Sequence, residues 1–217
     1  MGRDAGLPEL FRLLLDSFGP QHWWPGETPF EVLVGAVLTQ NTSWRGVAQA
    51  IANLKREGVL SLEGLLGLEP ERLAQLIRPA GYFNLKQKRL RNLLELLQRD
   101  FGGDLDRLFA LPLAQARQVL LSSNGVGPET ADSILLYAGE KPIFVVDAYT
   151  FRILGRHGFA VEEMDYHQVQ ALFMDNLPHQ VALFNEFHAL LVKLGKDFCK
   201  KGKPRCPECP AQGWGER

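Results

Sequence analysis

The fold of this 217-residue chain is decided by residues 124–131, which read Asn-Gly-Val-Gly-Pro-Glu-Thr-Ala between two segments of helical periodicity. Gly125 and Gly127 permit a left-handed backbone conformation and a close backbone approach. Pro128 suits the first position of the following helix, where an N–H would have no partner in any case. Such a turn exposes the free N–H groups of a helix N-terminus, which bind phosphate without reading sequence. On these residues alone, an ordinary corner between two helices is an equally good interpretation.

Apolar residues recur at helical spacing along nearly the whole chain. The predicted helices span residues 6–18, 29–39, 43–56, 61–67, 69–78, 84–100, 112–121, 128–138, 147–156, 164–175 and 180–195. Glycine and proline mark the breaks between them, and only Ile143–Val146 has a strand-like pattern, too short to make a sheet. The sequence therefore predicts an all-α protein. The region from Lys196 onward lacks apolar periodicity and needs something other than a core to order it.

The composition is that of a globular protein. Hydrophobic residues make up 46% of the chain and charged residues 23%, which is enough to bury a sizeable core. No apolar run approaches the ~18 residues of a membrane span, and the N-terminus lacks the charged and apolar regions of a signal peptide. We therefore expect a soluble cytoplasmic protein, associated with the nucleoid if it is bacterial, and no membrane partner.

The net charge of −1 does not by itself indicate a polyanionic partner. Binding to nucleic acid would depend on local basic patches. One candidate patch contains Lys86, Lys88, Arg89 and Arg91, and a second runs from Lys196 to Arg205. Each is alternatively a solvated face without a partner.

One carboxylate stands at the end of a buried run. Asp147 directly follows Ile143–Val146 and precedes Tyr149 and Phe151. We expect partial desolvation to raise its pKa, as a general base requires. In its ionised form it could instead stabilise a positive charge on an oxocarbenium-like sugar. It is also a good N-cap for the helix beginning near Ala148, and the roles are compatible.

The three cysteines, Cys199, Cys206 and Cys209, lie within eleven residues near the C-terminus. An odd, clustered set favours a metal or a cluster over a disulfide framework. Zinc held by three cysteines and one further ligand is possible, and so is a loop that holds no metal. His188 is near in sequence, but it lies on an apolar helical face and is interpreted as a core residue.

Taken together, these motifs resemble the helix-hairpin-helix DNA glycosylase superfamily of endonuclease III. The hairpin at 113–138 and Val145–Arg152 (Val-Val-Asp-Ala-Tyr-Thr-Phe-Arg) resemble the motif that names the superfamily. Val37–Thr42 looks like the segment whose glutamine, here Gln40, fills the gap left by an extruded base. Residues 77–86 look like a second signature, so the similarity covers most of the chain.

The resemblance implies an all-α fold of two helical lobes with a DNA-binding cleft between them. We assign residues 29–140 to the lobe that carries the hairpin, and 1–28 plus 141–217 to the second lobe. The implied partner is double-stranded DNA with a damaged base, bound by a monomer. The residues expected to bind its backbone are Gly125, Val126, Gly127, Lys86 and Lys88.

The hairpin departs from endonuclease III at one position. Bifunctional members carry a lysine two residues after the second hairpin glycine, and that lysine forms a Schiff base with the sugar. Here the position is Glu129, within the expected substrate site, and a carboxylate cannot form an imine. The sequence thus predicts a monofunctional glycosylase in which Asp147 is catalytic and assists water.

The tryptophans point to a substrate. Trp23-Trp24-Pro25 and Thr42-Ser43-Trp44 resemble the 3-methyladenine glycosylase branch, whose pocket is aromatic. Stacking a cationic alkylpurine between Trp24 and Trp44 would add cation–π attraction of roughly 0.5–2 kcal/mol. Both could instead be core residues. We expect excision of alkylated purines such as 3-methyladenine; the alternatives are an endonuclease III-type glycosylase/AP lyase acting on oxidised pyrimidines and a non-catalytic helix-hairpin-helix DNA-binding protein.

The cysteine spacing, Cys199-x6-Cys206-x2-Cys209, resembles the start of the iron–sulfur loop of the family. A [4Fe–4S] site of this kind has a fourth cysteine about six residues after the third. Gly215 stands there instead. The resemblance therefore implies an incomplete ligand set, and we expect an incomplete cluster rather than none.

Overall fold

A computed structural model describes residues 6–23, 26–159 and 161–215. These residues form twelve α-helices and three short 3-10 turns, with no strand among them. In chain order, α1 to α12 span Leu7–Phe18, Pro29–Leu38, Trp44–Arg56, Leu62–Leu66, Pro70–Leu76, Phe83–Phe101, Leu105–Ala110, Leu113–Ser122, Pro128–Tyr137, Ala148–Arg156, Tyr166–Asn176 and Val181–Asp197. The all-α prediction is confirmed. None of the helices in these ranges is long and apolar enough to cross a membrane.

The helical spacing of apolar residues did not predict α7. α7 has six residues, and Leu108 is the one residue in it that is fully buried. An amphipathic period cannot show in so short a segment. Its start is set by the N-cap Asp104, whose side chain accepts from the N–H of Asp106 at 2.9 Å. Local capping therefore marks this helix better than hydrophobicity does.

The chain divides into two compact units. The first, which we call the hairpin unit, spans Trp24–Lys141 and contains α2 to α9. The second, the terminal unit, combines Met1–Trp23 with Pro142–Arg217 and contains α1 and α10 to α12. The lobes expected from the sequence, residues 29–140 and residues 1–28 plus 141–217, stay a prediction.

The hairpin unit is built around α2, which is buried on nearly every side and packs against α3, α6 and α9. The Thr28 side chain caps this helix by accepting from the N–H of Glu31 at 3.1 Å, and Pro29 occupies the first turn. An all-round apolar helix of this kind must lie at the centre of a core. It therefore fixes the positions of the loop that follows it and of α9.

The terminal unit places Asp147. α12 packs against α1 and α10, and the rings of Phe144 and Phe173 stack at 3.8 Å beneath them. The run Ile143–Val146 is buried and belongs to no helix or strand of the described ranges. Gln170 supports it by donating to the Phe144 carbonyl oxygen at 2.6 Å. This buried run fixes the backbone position of Asp147 at the start of α10.

Aromatic packing orders the C-terminal loop, for which the sequence predicts no core. The Trp214 ring stacks on Phe159 at 5.4 Å, and its Nε1 donates to the Gly6 carbonyl oxygen at 3.1 Å. The Trp214 carbonyl oxygen lies 2.7 Å from His157 Nδ1. A tryptophan anchored at both its ring and its backbone holds this loop in place.

Candidate functional site

The hairpin predicted at 113–138 is present as α8, a turn and α9. The turn is closed by the N–H of Val126, which donates to the Ser123 carbonyl oxygen at 3.0 Å. Gly125 has a φ of 98°, a left-handed conformation that only glycine adopts readily. Gly127 is the N-cap of α9, with Pro128 in the first turn. The predicted roles of Gly125 and Pro128 are therefore confirmed, whereas that of Gly127 is wrong, because its φ is −93° and a Cβ there would meet no described atom within 4 Å.

A buried ion pair joins the two hairpin helices. Arg117 Nε and Nη2 donate to the Asp132 carboxylate oxygens at 2.7 and 3.1 Å. The Asp132 side chain is 0% exposed and that of Arg117 is 19% exposed. Such a bidentate pair fixes the orientation of α8 relative to α9.

Two side chains of α6 contact the hairpin turn. A Cβ at Gly125 would overlap Arg89 Cγ and lie 2.9 Å from Arg89 Cβ and Cδ. One helical turn further on, Asn92 Nδ2 donates to the Asn124 carbonyl oxygen at 3.0 Å. The close approach that the sequence predicts at Gly125 is thus made by another side chain of the protein.

Gly125→Ala is expected to lower the free energy of unfolding by about 2–4 kcal/mol, since it combines a positive φ with a steric overlap. Gly127→Ala is the matched control, because its Cβ would meet no described atom within 4 Å and its φ is −93°. That control should cost at most about 1 kcal/mol. Urea unfolding of both variants measures the difference, and equal losses would contradict this account.

Gln40 is bound to the hairpin turn. Its Nε2 donates to the Gly125 carbonyl oxygen and to Thr130 Oγ1, both at 3.0 Å. Its Oε1 accepts from Arg89 Nη1 at 2.5 Å. These partners lie on α6 and at the hairpin, so Gln40 does not cap the end of a helix. Gap filling stays a prediction.

Lys86 corrects the sequence analysis. It was expected to bind the DNA backbone, but its residue is 1% exposed. Its Nζ donates to the carbonyl oxygens of Leu38 and Ala80 at 2.8 and 2.7 Å, and burial lowers its pKa to about 8. Lys86 therefore satisfies carbonyl groups at the end of α2 and in the turn before α6. Lys88, in contrast, is exposed.

Aromatic and apolar side chains are exposed around the Gln40 loop. Trp44, the first residue of α3, is one of the exposed large hydrophobic residues, together with Tyr82 and Leu85 at the start of α6. A Cβ at Gly35 would lie 3.9 Å from the Trp44 ring, so the ring packs on α2. Because 37% of its surface is exposed, Trp44 is nevertheless not a core residue. Trp24, its predicted partner, lies outside the described residues.

Asp147 caps α10 and also lies beside a histidine. Its Oδ1 accepts from the N–H and the hydroxyl of Thr150 at 2.8 and 3.0 Å. The Asp147 N–H donates to Thr150 Oγ1 at 3.4 Å, which completes the capping box of α10. Its Oδ2 lies 3.6 Å from His188 Nε2, and the side chain is 12% exposed. One oxygen therefore serves the helix while the other faces an imidazole.

The raised pKa expected for Asp147 is wrong. Burial disfavours the charged form, but His188 and the two Thr150 bonds outweigh it and hold the pKa of Asp147 below its ordinary value. Hydrogen bonds to a carboxylate and a neighbouring imidazole both favour ionisation. Asp147 is therefore an anion at neutral pH.

The contact between His188 and Asp147 was not predicted from the sequence. His188 is buried on α12, as its core interpretation predicts, but its ring stacks on Trp23 at 5.6 Å and meets Phe144 edge-on at 6.5 Å. These rings orient it toward the carboxylate. Nothing in the local pattern joins two residues so far apart in sequence.

A basic depression of about 470 Å³ opens beside the start of α10. It is lined by Ala148, Tyr149, Arg152, Gly195, Lys196, Lys200 and Lys201. Arg152 is held in place, because it donates to the Cys199 carbonyl oxygen at 2.7 Å and lies over the Tyr149 ring at 4.8 Å. The three lysines are exposed. The second basic patch thus faces solvent beside the start of α10.

The cysteine loop does not fit a four-cysteine cluster. No three His, Cys, Asp or Glu side chains within the described ranges are arranged to hold a metal ion. At Gly215, where a fourth thiol would stand, φ is 86° and a Cβ would lie 2.8 Å from the His157 carbonyl oxygen. Arg156 Nη1 donates to the Cys199 sulfur at 3.2 Å. The ligand roles of Cys199, Cys206 and Cys209 stay a prediction, which iron and sulfide analysis tests.

Comparison with known proteins places this geometry in context. The sequence model of the HhH-GPD superfamily of base excision DNA repair proteins matches residues 34–179. The chain is 46% identical over 209 residues to the Methanocaldococcus jannaschii protein named "Putative DNA repair glycosylase MJ1434", covering 93% of this chain and 92% of that one. It is 29% identical over 208 residues to endonuclease III of Thermotoga maritima, covering 94% and 89%. The structure of the H. pylori 3-methyladenine DNA glycosylase MagIII bound to 1,N6-ethenoadenine is similar with a TM-score of 0.75 and 31% identity, covering 90% of this chain and 98% of that one.

Proposed function

Because the chain belongs to the HhH-GPD superfamily of base excision DNA repair proteins, we propose that it is a monofunctional DNA glycosylase that excises alkylated purines such as 3-methyladenine. The reaction is hydrolysis of the N-glycosidic bond. The observation that carries the proposal is an ionised Asp147 combined with Glu129 at the hairpin position where bifunctional relatives have a lysine. A carboxylate in each place supports attack by water and not by an amine.

Asp147 acts chiefly through its charge. As the bond between sugar and base breaks, the sugar acquires oxocarbenium-like positive charge, which a fixed carboxylate stabilises. A carboxylate with a lowered pKa is a weak base, so it accepts the proton of the attacking water only as that water bonds to the sugar carbon. Thr150 and His188 hold the carboxylate in place, so little reorganisation is needed during the reaction.

The proposed substrate class rests on leaving-group chemistry and on Trp44. An alkylated purine carries positive charge and departs as a neutral base, so no acid is needed to protonate it. The exposed Trp44 ring offers a face for stacking and cation–π attraction. The 31% identity to the H. pylori 3-methyladenine enzyme supports the same class.

DNA binding is proposed for the exposed elements of the site. The amide groups of Gly125 and Gly127 would hold one phosphate at the N-terminus of α9, whereas the Val126 N–H, expected to join them, is already donated to the Ser123 carbonyl oxygen. Lys88 and the lysines of the basic depression would neutralise others, which gives salt-dependent and sequence-independent affinity. The partner would be double-stranded DNA with a damaged base, bound by a monomer.

A second candidate function is that of endonuclease III, a glycosylase with strand-nicking activity on oxidised pyrimidines. The similarity to the Thermotoga maritima enzyme over 94% of this chain favours it. Glu129 opposes it, since the Schiff base of that mechanism needs an amine.

One experiment separates these functions. The purified protein is incubated with DNA carrying both alkylation and oxidation damage, and the released bases are measured by mass spectrometry. We expect 3-methyladenine in excess over oxidised pyrimidines, and sodium borohydride should trap no covalent enzyme–DNA adduct. Preferential release of oxidised pyrimidines would overturn the substrate class, and a trapped adduct would overturn the monofunctional mechanism. Release of no base would favour the non-catalytic alternative.

A further inference from the structure

Arg89 contacts both the hairpin turn and Gln40, for which separate roles in DNA binding are expected. Its side-chain stem lies against Gly125 in the hairpin turn, and its guanidinium donates to Gln40 Oε1 at 2.5 Å. Gln40 in turn donates to the Gly125 carbonyl oxygen and to Thr130 Oγ1. Three segments distant in the sequence are thus joined by one closed set of contacts.

The chemistry of these groups leaves Gln40 a single orientation. A guanidinium only donates, so the amide oxygen of Gln40 must face Arg89. The amide nitrogen must then face the Gly125 carbonyl oxygen, which only accepts, and the Thr130 hydroxyl. In the presence of Arg89, flipping the Gln40 amide would break its hydrogen bond to the charged guanidinium. Without Arg89 that cost disappears, and the Gln40 side chain can adopt more rotamers.

We propose that Arg89 is a positioning residue that locks Gln40 to the hairpin turn, so that a phosphate bound at the turn fixes where Gln40 lies along the damaged strand. This inference rests on the phosphate-binding role proposed for the hairpin turn and on the gap-filling role predicted for Gln40. Locking a long side chain before binding removes its ordering cost from the binding step, which is the advantage of preorganisation. Arg89 then contributes to recognition of damage through Gln40 and not through a phosphate.

The test compares binding to a duplex carrying a tetrahydrofuran abasic-site analogue with binding to the undamaged duplex. Arg89→Met keeps the aliphatic stem against Gly125 and removes only the guanidinium. We expect it to lower the preference for the abasic duplex by about 10-fold, the effect of one charge-assisted hydrogen bond. Arg89→Lys should restore part of that preference, since an ammonium still donates but lacks the planar fork.

Two comparisons separate positioning from simple charge. In a Gln40→Ala background, Arg89→Met should cause no further loss of preference, because the two residues act as one. The exposed neighbour Lys88, changed to Met, should weaken both duplexes equally and reduce the salt dependence of binding, as a phosphate contact does. The proposal would be overturned if Arg89→Met weakened binding to both duplexes equally, as expected for Lys88→Met. It would also be overturned if Arg89→Met lowered the preference as much in the Gln40→Ala background as in the wild type.

A measurement without DNA keeps the lock testable on its own. The side-chain amide of Gln40, assigned in the ¹⁵N NMR spectrum of the free protein, should show two dispersed proton signals that collapse toward solvent values in Arg89→Met. Unchanged signals would overturn the lock. A wild-type protein with no preference for the abasic duplex would contradict the proposed function, and this spectrum would then decide the lock independently.

Discussion

Asp147→Asn is expected to lower the single-turnover rate of base release by about 10²–10⁴-fold while leaving α10 capped. Asparagine is an N-cap as good as aspartate, so its amide oxygen can still accept from the Thr150 N–H. What is lost is the negative charge beside the sugar. The measurement is release of 3-methyladenine from a defined duplex with enzyme in excess.

Asp165 provides the matched control. It is the N-cap of α11, where its Oδ1 accepts from the Gln168 N–H at 2.9 Å in a second capping box. It lies in the same unit but is exposed. Asp165→Asn should retain the wild-type rate. Full activity of Asp147→Asn would remove Asp147 from the mechanism, and equal losses in both variants would point to capping alone.

The lowered pKa of Asp147 sets the sign of the pH dependence. A carboxylate with a lowered pKa stays ionised as pH falls through its ordinary range near 3.9. Base release should therefore show no acid limb from Asp147 between about pH 5 and 7, where a raised pKa would produce one. The stability that its contacts supply is present above the ordinary pKa and is lost below it.

Arg117→Met is expected to lower the free energy of unfolding by about 3–5 kcal/mol. The change leaves the Asp132 carboxylate, which is fully buried, without the guanidinium that binds both its oxygens. The larger part of this loss is the cost of a buried charge, and not the intrinsic strength of the pair. Urea unfolding of the two proteins measures the loss.

Two further variants identify the cause. Arg117→Met combined with Asp132→Leu removes both charges, and it should recover most of the stability. Lys193→Met breaks the exposed Lys193–Asp197 pair at 3.0 Å on α12 and should cost less than about 1 kcal/mol. If Arg117→Met costs no more than Lys193→Met, the Arg117–Asp132 pair does not hold α8 to α9.

Local pattern was enough for most of the helices and for the hairpin. Helical spacing, the glycine pair and Pro128 are properties of neighbouring residues, so they can be recognised without knowing the fold. The same holds for the capping role of Asp147. α7 was missed because six residues are too few to show a period.

The burial of Lys86 could have been predicted from its position in α6, but the basic residues around it favoured a surface site instead. Lys86 occupies the same face of α6 as Leu90, Leu93 and Leu97, all of which are buried. Position on that face predicts burial, whereas the grouping with other basic residues predicts a surface patch. Tertiary structure decided in favour of burial, because the carbonyl oxygens of Leu38 and Ala80 supply the partners that a buried ammonium requires.

The sequence by itself determined an all-α chain with a helix-hairpin-helix and one aspartate at the end of a buried run. Only the tertiary structure decided the state of that aspartate and the partners of Gln40. The pKa of Asp147 depends on His188, and the orientation of Gln40 depends on Arg89. Periodicity and capping act over three or four residues, whereas these contacts join elements that packing alone brings together.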